Sequence, residues 1–453
     1  MKKSISCIAL AAQLAWIGGA AMAQNAAAQN AVGEVTYVQG LTSARRPGQE
    51  TRFLAAGDPI AEGEVISTIG RGYAVIGLKD GTRMTLRPST SFAVEQLSQK
   101  AGEETLAMSL LRGGLRAVTG LISKAGPNRA RVVTPTATVG IRGTEFDARL
   151  CGADCRVEAL GARAMAPPAA TQPVVARVAV LVGGASALAA NGATRSLAPG
   201  AALFSGESVR TAASSYAVLA FRDESKVTLA AATEMKLEDV RFAPAQPDEG
   251  NFVVRLVTGG MRAVTGLLSK RDPRSVRVLT PTATVGIRGT GVDVRTLDNR
   301  DYVYTWDGVV ALEANGRELV IVKDRAAVFD PARGTIEMLD AIPRFFLDEP
   351  APRPDLINVD FKVLFAIVAM DDYAPGLYVG VRSGNVNLGG LIDLGPFEAA
   401  FLAEGSDRPV RIEPPGFLFG DRIPTPDSAN LRPLRLIELL GPGLSDGDWC
   451  EIK

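Results

Sequence analysis

From Val32 onward the chain is dominated by short runs in which every second residue is apolar. Ala74, Ile76 and Leu78 alternate with Tyr73, Val75 and Gly77, and Met84 and Leu86 alternate with Arg83 and Thr85. Leu106, Met108 and Leu110 repeat the pattern. A period of two sends one set of side chains to each face of a strand, so these runs predict β-strands with one buried face. Glycine pairs and prolines punctuate the runs every eight to twelve residues or so, the spacing of short sheet strands. Lys79-Asp80-Gly81-Thr82 is a turn, because glycine accepts the positive φ that hairpins demand. The later stretch Asp223-Glu224-Ser225 lacks that glycine and predicts a turn of different length or type. Helical periodicity is confined to Ala341–Leu347 and Arg432–Leu440. The pattern predicts an all-β protein with few short helices.

Self-comparison orders these strands. Thr134–Thr144, Thr-Pro-Thr-Ala-Thr-Val-Gly-Ile-Arg-Gly-Thr, recurs without change as Thr280–Thr290. Gly113–Lys124 returns as Gly259–Lys270 with two substitutions, and Tyr73–Leu78 as Tyr216–Phe221. The order is the same in both halves, so the chain carries a duplicated domain, expected over 31–160 and 174–340. The Ala- and Pro-rich stretch 161–173 reads as the linker. A looser echo lies beyond, in which Tyr302–Gly308 resembles Tyr378–Gly384 and Pro343-Arg-Phe-Phe resembles Pro415-Gly-Phe-Leu. It is read as a degenerate partial repeat within a C-terminal β region, 341–453.

The N-terminus bears on location. Lys2 and Lys3 precede an uncharged, mostly apolar run from Ile5 to Ile17, and Ala21-Met22-Ala23 places small residues where a signal peptidase reads them. That order predicts a signal peptide over 1–23, cleaved before Gln24, and a periplasmic or secreted chain with no stable membrane insertion after cleavage. Basic and acidic residues number 49 each, so no positive surplus is available for phosphates and nucleic acid is not an expected partner. Histidine is absent, which removes the commonest general base and metal ligand and lowers the expectation of an enzyme. Cys151 and Cys155 are separated by three residues, which in an oxidising compartment reads as a disulfide closing a tight turn. Cys450 is left over.

The alternating strands, the turn Leu78–Thr82 and the closing runs Val133–Asp147 and Leu279–Asp293 resemble the FecR domain. The resemblance covers roughly Val32–Arg149 and Val175–Val322. It implies all-β periplasmic domains, as sandwich or short solenoid-like sheets, that recognise another protein. The family's name-giving members relay iron-uptake signals from the inner membrane through a cytoplasmic helical region and a membrane span. The sequence carries neither part, so the resemblance implies a stand-alone exported form and leaves its activity open.

Arg142 and Arg288, each in Ile-Arg-Gly-Thr, are candidate recognition residues, because a guanidinium fork suits bidentate contact with a carboxylate or a sugar. The structural reading, favoured here, gives the glycine a tight bend, the threonine a backbone tie and the arginine an internal partner. Arg116 and Arg262 follow glycine pairs without the Lys-Ser/Thr ending of a phosphate loop, and a bulged strand-turn-strand is expected. Ser123-Lys124 and Ser269-Lys270, taken as strand neighbours, point to opposite faces and form no dyad. Asp371-Asp372 reads as a surface turn. Tyr302, Tyr304 and Trp306 alternate onto one face, either as a platform for sugar or peptide or as cross-strand packing. The expected function is a non-enzymatic binding or scaffold role in the cell envelope, without cofactor, recognising a protein or cell-wall component. The alternatives are a periplasmic adaptor in cell-surface signalling and a surface adhesin.

Overall fold

The computed structural model describes residues 31–126, 129–152, 154–155, 173–190, 192–242, 250–287, 289, 291–370, 374–419 and 423–426. The expected signal segment, nearly all of the linker, Arg288, Asp371-Asp372, Arg432–Leu440 and Cys450 lie outside them. The described chain is all-β, as the alternation predicts, and its α-helices are four or five residues long. It forms two compact units, one for each copy of the repeat. In each, the strands curl so that one face closes on an apolar core. Ile66, Ile76, Met84, Phe92, Leu106 and Phe146 are fully buried in the first unit, and Leu203, Leu219, Val254, Val278, Val285 and Val303 in the second.

The long strand Thr105–Val118 holds the first unit together. Its beginning pairs with Ser91–Ser98, and its end pairs with Arg83–Leu86 and with Thr138–Cys151. Gly113, with φ 79°, sits at the change of partner. A Cβ there would meet Thr90 at 2.5 Å, so the close approach demands glycine. Asn251–Val264 repeats the arrangement with Gly259.

The segment after each long strand differs from the expected strand-turn-strand. Leu121–Ala125 and Leu267–Arg271 are single helical turns, each leading into a strand parallel to the long one. Ser123 and Ser269 are therefore buried on helices, where their hydroxyls donate to the Gly120 and Gly266 carbonyls at 3.0 and 3.2 Å. One turn of helix is too short to show its period in sequence.

The turn expected to differ between the copies is the same in both. Asp80 accepts from the Thr82 amide and hydroxyl at 3.0 and 2.8 Å, and Asp223 accepts from the Ser225 amide and hydroxyl at 3.1 and 2.7 Å. Each hydroxyl in turn accepts from the Gly120 or Gly266 amide. These bonds impose the turn, and Glu224 takes φ 67° where Gly81 has 86°. An L-residue there costs roughly 1–2 kcal/mol, part of which glycine returns as unfolded-chain entropy. Glu224→Gly is therefore expected to stabilise the second unit by up to about 1 kcal/mol, read as a rise of a few degrees in its thermal midpoint.

The late echo finds its place in the sheet register. In the second unit the closing strands are contiguous: Gly291–Leu297 pairs with Arg300–Asp307 across Asp298-Asn299, both with positive φ, a two-residue hairpin turn. In the first unit Thr138–Cys151 pairs with Gly376–Leu388, and Gly380 opposes Asp147 as Tyr304 opposes Asp293. Ala399–Ala403 and Val410–Ile412 then add on. The segment set apart in sequence as a partial third repeat thus supplies the closing strands of the first copy. The chain departs at Cys151 and returns at Gly376, so the second copy is threaded through the position of a hairpin turn. The Cys151–Cys155 disulfide, with Cα atoms 5.4 Å apart, closes the point of departure.

Candidate functional site

The middle of each closing strand is buried on both faces. Phe146, Asp147, Ala148 and Arg149 are all buried, as are Gly291, Val292, Asp293 and Val294. Alternation sends Phe146 and Ala148 to one face and Asp147 to the other. That other face is covered by a strap that follows the last strands. The strap of the first unit includes the helical turn Gly416–Phe419 and residues 423–426, and that of the second includes Arg344–Leu347 and the stretch to Ile357.

Under the first strap, three guanidiniums meet one carboxylate. Asp147 accepts from Arg87 at 3.0 Å, from Arg116 at 2.9 Å and from Arg382 at 2.9 Å. Arg87 and Asp147 are fully buried. The strap takes up further donors: Arg116 donates to the Leu418 and Ile423 carbonyls at 2.9 and 2.6 Å, and Arg382 to Leu418 at 2.9 Å. Burial pushes the Asp147 carboxyl upward, but Arg116, Arg87 and Arg382 together outweigh it and hold the group below its ordinary value. Backbone carbonyls of the strap accept from all three arginines as well.

The second unit keeps the frame and changes the charge. Asp293 pairs with Arg262 at 3.0 Å and accepts from the Trp306 indole N–H at 2.9 Å. Arg262 donates to the Ala351 carbonyl of the strap at 2.9 Å. Ala230 stands where the first unit has Arg87, each amide donating to the second glycine of its pair, and Trp306 stands at the bulge occupied by Arg382. Burial prevails over Arg262 in contact, the Trp306 N–H and the more distant Arg353, and raises the Asp293 carboxyl to about 6. A folded-state value above the unfolded one means that the native unit takes up a proton as pH falls. The charge penalty is in force above about pH 6 and is relieved toward pH 4. In a chain starting at Gln24 with Trp449→Phe, Trp306 is the single tryptophan. Its fluorescence is expected to titrate with a midpoint near 6, and Asp293→Asn is expected to abolish that step. A flat profile between pH 5 and 7 would refute the assignment.

The three aromatics, read from the sequence as either a platform or cross-strand packing, share a face, and the strap covers it. Tyr302 packs edge-on against Phe345 with centroids 5.2 Å apart, Tyr304 lies 5.8 Å from Phe346, and the Arg353 guanidinium sits 3.9 Å over Trp306. The chain itself occupies that face. Arg142 is half-buried with no ion-pair partner among the described residues, while Gly143 makes the bend with φ 58° and the Thr144 hydroxyl donates to the Asn385 carbonyl at 2.7 Å. Arg142 lies in the first unit and the aromatics in the second. An open cleft of about 690 Å³ in the second unit is lined in part by Arg255, Thr280, Thr282 and Arg317. The Thr280 and Thr282 hydroxyls there both donate to Asp301. No group of three metal-ligating residues occurs among the described residues.

Sequence reasoning passed over Asp147 and Asp293. The signal was present, an acid five residues after the arginine of Ile-Arg-Gly-Thr in both copies, flanked on each side by an apolar residue. Arg87 and Arg382 carried no such signal, because the second copy has neither.

Residues 64–163 and 207–311 match the model of a family described as FecR protein. Among solved structures, two of a protein described as a candidate anti-sigma factor from Parabacteroides distasonis ATCC 8503 are similar, at 14% and 15% identity and a TM-score of 0.26. Each match covers 31% of this chain and 62% of that one, so the chain spans less than two thirds of those structures. No curated protein matches the chain.

Proposed function

The chain carries two tandem FecR domains, and from that premise we propose that it is an exported, non-enzymatic binding or scaffold protein of the cell envelope, recognising a protein or cell-wall partner. One observation carries the reading: three polar positions that the two copies share are spent on the frame. Asp147 and Asp293, Arg116 and Arg262, and Ser123 and Ser269 are buried or half-buried and bonded within their own unit. The shared acid, its arginine and the shared serine are thereby kept from substrate, which supports a reading in which recognition falls to outer faces and strand edges, where extended partners add on. Two linked copies raise the effective concentration at a repeated partner. The N-terminal pattern of Lys2 to Ala23 supports export. No helix among the described residues is long and apolar enough to cross a membrane.

The test is crosslinking in cells expressing the full chain, with identification of the captured component and N-terminal sequencing of the mature protein. Capture of an envelope protein or cell-wall fragment, with a new N-terminus at Gln24, is the expected result. A mature chain retaining Met1, or adducts only with cytoplasmic proteins, would overturn the reading. The family match also favours a second reading, an adaptor in surface signalling, for which the captured component is a membrane sensor or receptor.

A further inference from the structure

The outer face at one end of the first sheet differs from its counterpart in the second. Leu41 and Ser43 lie on one strand, opposite Ile69 and Ser67 on the next, and Phe53 opposes Ser43 from the other side. These registers put all five on one face. Leu41, Phe53 and Ile69 are 59%, 68% and 46% exposed, while Ser67 and Ser91 meet hydroxyl to hydroxyl at 3.3 Å between them and the next strand. The same register in the second unit reads Gly184, Ser196 and Ala212, with an Arg210–Glu234 ion pair in place of the serines. The frame therefore does not need three large apolar side chains here. An ordinary solvated face is what the second unit displays.

The surroundings indicate what the first face fits. Among the described residues Arg52–Phe53 is the terminal strand of its sheet, paired on one side only, which leaves an edge for a further strand. Arg45 shares the face two residues beyond Ser43, and Arg71 and Arg112 are exposed beside Ile69 and opposite Ser91. Apolar residues on an open edge, bordered by guanidiniums, complement an extended segment whose apolar side chains are flanked by carboxylates. We propose that this face docks such a segment from an envelope protein, added as a strand alongside Arg52–Phe53. The proposal deepens the binding role above and rests on it.

A photoreactive residue placed at Phe53, and separately at Ser196, in the full chain in cells separates the possibilities. The expected result is an adduct from position 53 alone, mapped by mass spectrometry to a partner segment that alternates apolar and acidic residues. Phe53→Ser with Ile69→Ala introduces smaller side chains of the kind the second unit carries at these positions. The pair is expected to leave the thermal midpoint unchanged and to cut capture of that partner by about tenfold or more, the loss of more than roughly 1 kcal/mol typical of an anchoring aromatic. Capture from position 196 but not 53 would overturn the docking face and leave the binding role standing. An adduct mapped to a second copy of this chain, or to lipid, would overturn the proposed occupant. No adduct at either position, together with no envelope component captured by general crosslinking, would remove the binding role itself.

Discussion

A chain ending at Val368 is expected to retain one folded domain out of two. The second copy keeps its contiguous strands through Met338 and its strap through Ile357. The first loses the whole of Gly376–Leu388, which pairs with Thr138–Cys151 from Val139 to Cys151. Leu377, Tyr378, Val379, Val381, Val386 and Leu388 are all buried there. At roughly 1.5–3 kcal/mol for each large side chain, their removal costs on the order of 10 kcal/mol, comparable to the whole stability of an ordinary domain. Calorimetry should show one transition in place of two, and limited proteolysis should spare 173–368 while degrading the residues before Cys151. The reciprocal chain, with 152–375 replaced by Asp-Asn and Cys151→Ser, is expected to fold as the first domain alone. Two intact transitions in the truncated chain would contradict the assignment of these strands.

Asp147→Asn is expected to destabilise the first unit far more than Asp293→Asn destabilises the second. Asp147 compensates three buried or largely buried guanidiniums, and loss of its charge removes the acid that all three share. Breaking a buried ion pair from one side costs about 3–5 kcal/mol, and here one acid serves three bases. Asp293 serves one arginine and an indole, and its burial already disfavours the charge at neutral pH, so an amide that keeps the acceptor oxygen is expected to cost about 1 kcal/mol or less. Urea unfolding at pH 7 measures both, and equal losses would refute the comparison. The acid limbs differ in sign as well. The lowered Asp147 value contributes stability above the unfolded carboxylate range that is lost as pH falls through it, whereas the second unit gains between about pH 6 and 4.

The strand content and the duplication were legible in the sequence because both are local: alternation shows within six residues, and the eleven-residue motif recurs unchanged. The pairing of 138–151 with 376–388 was not. Nothing near either strand records a partner more than 200 residues away, so a sequence match to Tyr302–Gly308 was read as another copy. The buried centre was hidden for a related reason. Asp147 stands in the outward phase of its strand, which ordinarily means solvent, and only the strap makes that face an interior. The Asp80 and Asp223 turns show the opposite failure: side-chain hydrogen bonds imposed one conformation on two sequences that differ at the position where glycine is favoured.

The threading of one domain through the other also sets a timetable. A chain delivered N-terminus first presents the strand ending at Cys151 well before Gly376, while the second domain needs only its own contiguous chain. The later copy is therefore able to finish first, and the earlier one waits half-built with the edge of 138–151 open. An open strand edge is a template for wrong pairing. The cell that makes this protein has to hold the residues before Cys151 out of trouble until the strand from Gly376 arrives.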